Sequence, residues 1–83
     1  MNGSIPVSLY KKLRDMLTES RRQAGMTQNE LAIALGKPQS YVSKYETGER
    51  GINVLEFLQI AKILGINVSE FMQILIDEMG GAT

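Results

Sequence analysis

The sequence predicts an all-α fold of five short helices, on three observations. Glycines punctuate it: Gly25, Gly36, Gly48, Gly65 and the Gly80-Gly81 pair each follow a stretch of helical patterning. Two phrases of capping-box type, Thr27-x-x-Glu30 and Asn53-x-x-Glu56, stand immediately before apolar runs. Apolar residues recur at helical spacing, as in Leu9, Leu13, Met16 and Leu17.

The first helix is expected over residues 8 to 24, with that stripe facing the core. The second opens at Thr27, whose hydroxyl satisfies an amide one turn on while Glu30 reaches back. Leu31, Ala34 and Leu35 supply its apolar spacing, Gly36 ends it with a positive φ, and Ala32 is small enough for another helix to cross closely. The third starts with Pro38 at its first position, where a missing N–H is harmless, and closes at Gly48. The fourth opens at Asn53 and turns Val54, Phe57, Leu58, Ala61 and Leu64 inward; the fifth is capped by Ser69. Residues 1–7 and 80–83 are expected to be loose ends around one domain spanning 8–79. The methionines at helical spacing read as core filler.

The third helix carries the functional signal. At about 100° per residue, Pro38, Val42 and Tyr45 share one side, and Gln39, Ser40, Ser43 and Lys44 share the other. A helix exposed only for solubility favours Glu and Lys; amides and hydroxyls are mediocre helix formers. They do match base edges. Gln pairs bidentately with adenine, Ser donates or accepts, and Lys reaches guanine or a phosphate. A merely solvated polar face is the alternative for so short a helix, and the preceding helix and turn argue against it.

Residues 9 to 76 resemble the lambda-repressor-like helix-turn-helix family of phage repressors, Cro proteins and Xre-type regulators. Gln28, Ala32, Gly36 and Val42 fall at the spacing of that family's turn, and GMTQNELA, QSYVSKYE and LGINVSEFM are phrased in its manner. The resemblance implies a compact five-helix DNA-binding domain with the helix-turn-helix at the second and third helices. It implies base contacts from Gln39, Ser40, Ser43 and Lys44, and phosphate contacts from Thr27, Gln28, Lys37, Tyr41, Thr47 and Arg50. Arg21 and Glu46 match a structural ion pair; otherwise they are two independent surface charges. Two residues depart from the pattern. Lys37 stands where Ser or Thr would cap the recognition helix, and Glu49 faces repulsion from DNA unless Arg50 or Lys44 neutralises it.

Composition bounds what else the chain can do. Its 83 residues leave room for one modest core, and 43% hydrophobic against 22% charged residues is a globular balance. Neither cysteine nor histidine occurs, which removes disulfides, the usual metal ligands and the usual general base. No cofactor, metal or catalytic activity is expected. No run approaches the roughly 18 apolar residues of a membrane span, and the start lacks a signal peptide's order, so a cytoplasmic protein is expected.

A formal net charge of zero is the main objection to DNA binding, but the average hides an asymmetry. Residues 1–50 hold eight Lys or Arg against five Asp or Glu; residues 51–83 hold one Lys against four acids. Such a polarised molecule still orients on a duplex, with a shallow salt dependence expected. The fifth helix carries more apolar surface than docking by Phe71 and Leu75 requires. Met72, Ile74, Ile76 and Met79 widen its arc to about 200°. A homodimer through Met72, Ile76 and Met79 is therefore expected, binding double-stranded DNA at a palindromic operator as a repressor. The alternatives are an antitoxin that binds a toxin partner and autoregulates, or the controller of a restriction system.

Overall fold

The computed structural model describes residues 5–80; residues 1–4 and 81–83, parts of the two expected tails, lie outside the described residues. Five α-helices and no strand occur among the described residues: α1 Val7–Gln23, α2 Gln28–Leu35, α3 Gln39–Thr47, α4 Val54–Leu64 and α5 Val68–Gly80. α2 packs on α3 and α4, and α1 spans α3 and α5.

Local chemistry sets the helix ends. At α2 the Thr27 hydroxyl accepts from the Glu30 N–H at 3.0 Å, and the Glu30 carboxylate accepts from the Thr27 N–H at 2.8 Å. Two orphan donors are satisfied reciprocally. At its other end Gly36 lies at φ 69, and the Lys37 N–H reaches back to the Ala32 carbonyl at 2.9 Å. That six-to-one bond needs a left-handed residue, which glycine supplies without a Cβ penalty. α4 repeats the arrangement with Asn53 and Glu56 at 2.8 and 3.0 Å and with the Ile66 N–H on the Ala61 carbonyl.

Two expected helix starts need correction. Pro38 is the N-cap of α3 rather than its first residue: its ψ of 156 is extended, and the helix begins at Gln39. Lys37 consequently precedes the cap position, and no side chain caps this helix. α5 is capped by Asn67, whose Oδ1 accepts from the Glu70 N–H at 3.0 Å; Ser69 is an exposed residue of the first turn.

Leu17, Leu31, Ala32, Val42, Tyr45 and Ile60 are fully buried, and Phe57, Ala61 and Phe71 nearly so. The Phe57 and Phe71 rings meet at 5.2 Å between centroids, joining α4 to α5. The inward stripe of α4 is Phe57, Ile60, Ala61 and Leu64, whereas Val54 and Leu58 are 73% and 43% exposed. The expected stripe thus included two outward residues and omitted Ile60. Periodicity alone admits both stripes, because a helix with apolar residues at neighbouring positions has overlapping apolar faces. Ala34 and Pro38 are also exposed. On α5, Phe71 is buried, Met72 and Leu75 pack partly on the core, and Ile74, Ile76 and Met79 are left about half exposed.

Candidate nucleic-acid interface

The site begins with how α3 is held. Val42 and Tyr45 anchor it at 0% exposure, which leaves Gln39, Ser40 and Lys44 exposed and Ser43 half-buried on the opposite side. The anchor is apolar except for the Tyr45 hydroxyl, which is buried without a hydrogen-bond partner; burial pushes that phenol's pKa up. Tyr41 meets the Tyr45 ring edge-on, with centroids 5.9 Å apart.

A polar relay runs from the interior to that surface. Arg21, on α1, forks onto Glu46 of α3, Nε to Oε2 at 2.8 Å and Nη2 to Oε1 at 3.1 Å. Its Nη1 donates to the Met26 carbonyl at 2.8 Å, tying the turn before α2 into the same group. The hydrogen bond to Glu46 holds the guanidinium's pKa above its ordinary value. Glu46 Oε1 also accepts from Gln28 Nε2 at 2.9 Å, and Gln28 Oε1 accepts from Gln39 Nε2 at 3.4 Å. With its NH₂ turned to Glu46, the Gln28 oxygen faces Gln39 and offers the amide of a candidate base-reading residue an acceptor at 3.4 Å. Gln39 keeps its own oxygen and a second N–H for an outside partner.

A second group lies at the other end of α3. Arg50, in the loop after α3, places its Cζ 4.5 Å from the Tyr41 ring centroid and forks onto Glu56 at 3.5 and 3.2 Å. The Lys37 ammonium lies 5.5 Å from the same ring. Burial raises the Tyr41 pKa, with Glu56 adding to the effect. The Thr47 hydroxyl bonds the Lys44 carbonyl at 3.2 Å and Glu49 at 3.3 Å. Glu49 is therefore not ion-paired by Arg50 or Lys44; the neutralisation expected of Arg50 goes to Glu56 instead. Gly48, at φ 90, lies under Arg14: a Cβ there would come within 2.9 Å of that guanidinium carbon.

The sequence reading missed the Gln28 bonds to Glu46 and Gln39, the Arg50–Glu56 pair, and Arg14 over Gly48. Each joins residues separated by a loop or by one or more helices. Only Glu56 carried a visible signal, as the acidic member of a capping phrase, and that signal concerned the backbone.

Residues 17–71 match a family model described as helix-turn-helix. An XRE-family-like protein from Pseudomonas syringae pv. tomato str. DC3000 is 41% identical, with a TM-score of 0.80 over 86% of this chain and 87% of that one. The chain belongs to the XRE-type helix-turn-helix family. A further relative of this XRE-type protein is the wild-type restriction-modification controller protein C.Esp1396I, 28% identical with a TM-score of 0.74, covering 86% of this chain and 93% of that one. A point mutant of the same controller is 25% identical, with a TM-score of 0.74 over 90% and 97% of the two chains. Among curated protein sequences none matches. The XRE-type assignment makes the chain a DNA-binding regulator rather than an enzyme. None of the helices among its described residues is long and apolar enough to cross a membrane.

Proposed function

We propose that two copies of this protein bind a palindromic DNA site and repress the promoter that contains it, in the cytoplasm. The observation that carries the reading is the two-sidedness of α3: Val42 and Tyr45 are wholly buried, while Gln39, Ser40 and Lys44 project from the other side. In this reading Gln39, Ser40, Ser43 and Lys44 face base edges in the major groove. Thr27, Gln28, Lys37, Tyr41, Thr47 and Arg50 fix register on the phosphates. The Gln28 side chain is engaged inside the fold, so the start of α2 meets phosphate chiefly through its first backbone N–H groups, where the helix dipole favours an anion.

Dimerisation is supported by α5, where Ile76 and Met79 are 55% and 56% exposed. Met72 is half-buried and, with Leu13, Val54, Phe57 and Leu75, lines an apolar cavity of about 230 Å³ beside that face. Two-fold pairing there would set two recognition helices about 34 Å apart, one duplex turn. Selection of sites from random oligonucleotides tests the reading, with sedimentation of the protein at tens of micromolar alongside. The expected result is a palindrome with half-sites one turn apart and a dimeric species. Recovery of unrelated sequences, or a strict monomer with and without DNA, overturns it.

The likeness to a restriction-modification controller favours one specific setting, control of a restriction system. Restriction and methyltransferase genes beside this one would support that setting, and their absence would remove it.

A further inference from the structure

Arg50 sits between Gly48 and Gly51 in the loop that joins α3 to α4, where backbone and side chain both have freedom to lose on binding. Its guanidinium is nevertheless held on two sides. One face lies over the Tyr41 ring at 4.5 Å, and the fork Nη1 and Nη2 meets Glu56 Oε1 and Oε2 at 3.5 and 3.2 Å. Glu56 is itself fixed, because Oε1 also accepts from the Asn53 N–H at 3.0 Å and its own N–H bonds Asn53 Oδ1 at 2.8 Å. The carboxylate is thus anchored to the first turn of a packed helix and holds a charge from a glycine-flanked loop.

Two roles fit a carboxylate in that place: restraint, in which it competes with DNA for Arg50, or guidance. The pair is partly open to water, with side chains 37% and 21% exposed, and ion pairs of that kind are weak. Arginine bonds to carboxylate and to phosphate are of the same charge-assisted kind, so a phosphate met at about 2.7–2.9 Å is favoured over a fork stretched to 3.2 and 3.5 Å. The fork to Glu56 engages Nη1 and Nη2, so Nε–H and the outer N–H groups of Arg50 lie outside that pair. The pair is too weak to withhold Arg50 from phosphate and leaves it the donors to bind one.

We propose that Glu56 is a positioning residue for DNA binding, aiming the Tyr41-stacked Arg50 guanidinium at a backbone phosphate through its forked ion pair. The inference rests on the reading of Arg50 as a phosphate contact and extends it to a residue on α4 that touches no DNA itself.

The test is a double-mutant cycle of Glu56→Gln and Arg50→Ala. Gln keeps an oxygen for the Asn53 N–H, and with it the capping box, while removing the charge. Affinities of the wild type and three variants are measured across salt concentration, on the duplex recovered by selection and on a random-sequence duplex of equal length. Loss of a negative charge strengthens binding to both duplexes in both backgrounds. Loss of aim weakens binding only where Arg50 is present, and on both duplexes, because a phosphate contact carries no sequence information. The expected result is that Glu56→Gln on the selected duplex is less favourable by about threefold or more with Arg50 than with Ala at that position. The same effect in both backgrounds overturns the proposal, as does a gain confined to proteins with Arg50, which would mean competition. An Arg50→Ala protein with unchanged affinity and salt slope removes the premise itself, a distinct outcome. If circular dichroism shows Glu56→Gln to be unfolded, Glu56→Asp takes its place in the cycle, keeping the charge on a shorter arm. The same loss is expected of it, and full wild-type affinity overturns the proposal.

Discussion

Replacing Arg21 with alanine removes the innermost member of the relay that carries α3. Arg21 is 8% exposed, and its side chain and that of Glu46 keep only 10% and 6% of their surface in water. The substitution deletes both bonds to Glu46 and the bond to the Met26 carbonyl, leaving a nearly buried carboxylate with Gln28 as its remaining side-chain partner. Breaking one side of such a pair costs about 3–5 kcal/mol, and the surviving Gln28 bond places this case near the lower end. A chain of 83 residues has a total stability of about 4–12 kcal/mol. Arg21→Ala therefore removes a quarter or more of it. Urea unfolding followed by far-UV circular dichroism measures the loss, with an unchanged slope showing that stability rather than compactness has moved. Exchanging both partners, Arg21→Met with Glu46→Leu, leaves no uncompensated charge and should cost less than the single change. Destabilisation below about 1 kcal/mol, or a double variant weaker than the single one, would refute the reasoning.

Five other substitutions probe four separate features. Gln39→Ala should weaken binding to the selected duplex by about 1–3 kcal/mol and relax one base position; equal losses on random DNA would show that Gln39 reads no base. Tyr45→Phe removes a buried hydroxyl that has no partner, so urea unfolding should show unchanged or higher stability, by up to about 1 kcal/mol, and a clear loss would reveal a bonded hydroxyl. Gly36→Ala meets open space and should cost only the left-handed strain, about 1–2 kcal/mol, whereas Gly48→Ala must also displace Arg14 and should cost more; the reverse order of unfolding midpoints counts against that packing. The Asn53 N–H and then Arg50 hold the Glu56 carboxyl below its ordinary pKa, so its contribution is complete above the unfolded value of 4.5 and disappears as pH falls through the lower folded value. Glu56→Gln should flatten that part of the acid-unfolding curve, and an unchanged profile would count against the pairing.

The starts of α2 and α4 were legible because they are written locally, unlike that of α3, which no side chain caps. Thr27 with Glu30 and Asn53 with Glu56 each place a cap and its reciprocal acceptor three residues apart, so sequence spacing states the hydrogen bonds directly. The start of α5 was written in the same form, Asn67-x-x-Glu70, and choosing Ser69 overlooked it. The α4 stripe was harder, since neighbouring Phe57 and Leu58 are equally apolar and only packing against α5 selects the former. The Arg21–Glu46 pair came from family resemblance rather than spacing. The Gln28 to Glu46 bond spans 18 residues, and the Arg50 to Glu56 pair crosses a glycine-flanked loop. The first exists only once α2 and α3 have docked, and the second only once the loop has folded back onto α4, so no local pattern announces either.

The Gln39 amide bonded to Gln28 has a consequence for anyone redesigning which sequence the protein prefers. Exchanging residue 39 alone leaves the Gln28 oxygen to water, and a longer or charged newcomer inherits a neighbour oriented for an amide. Retargeting is therefore a two-position problem, in which libraries that vary 28 and 39 together should yield functional variants that single-site libraries miss.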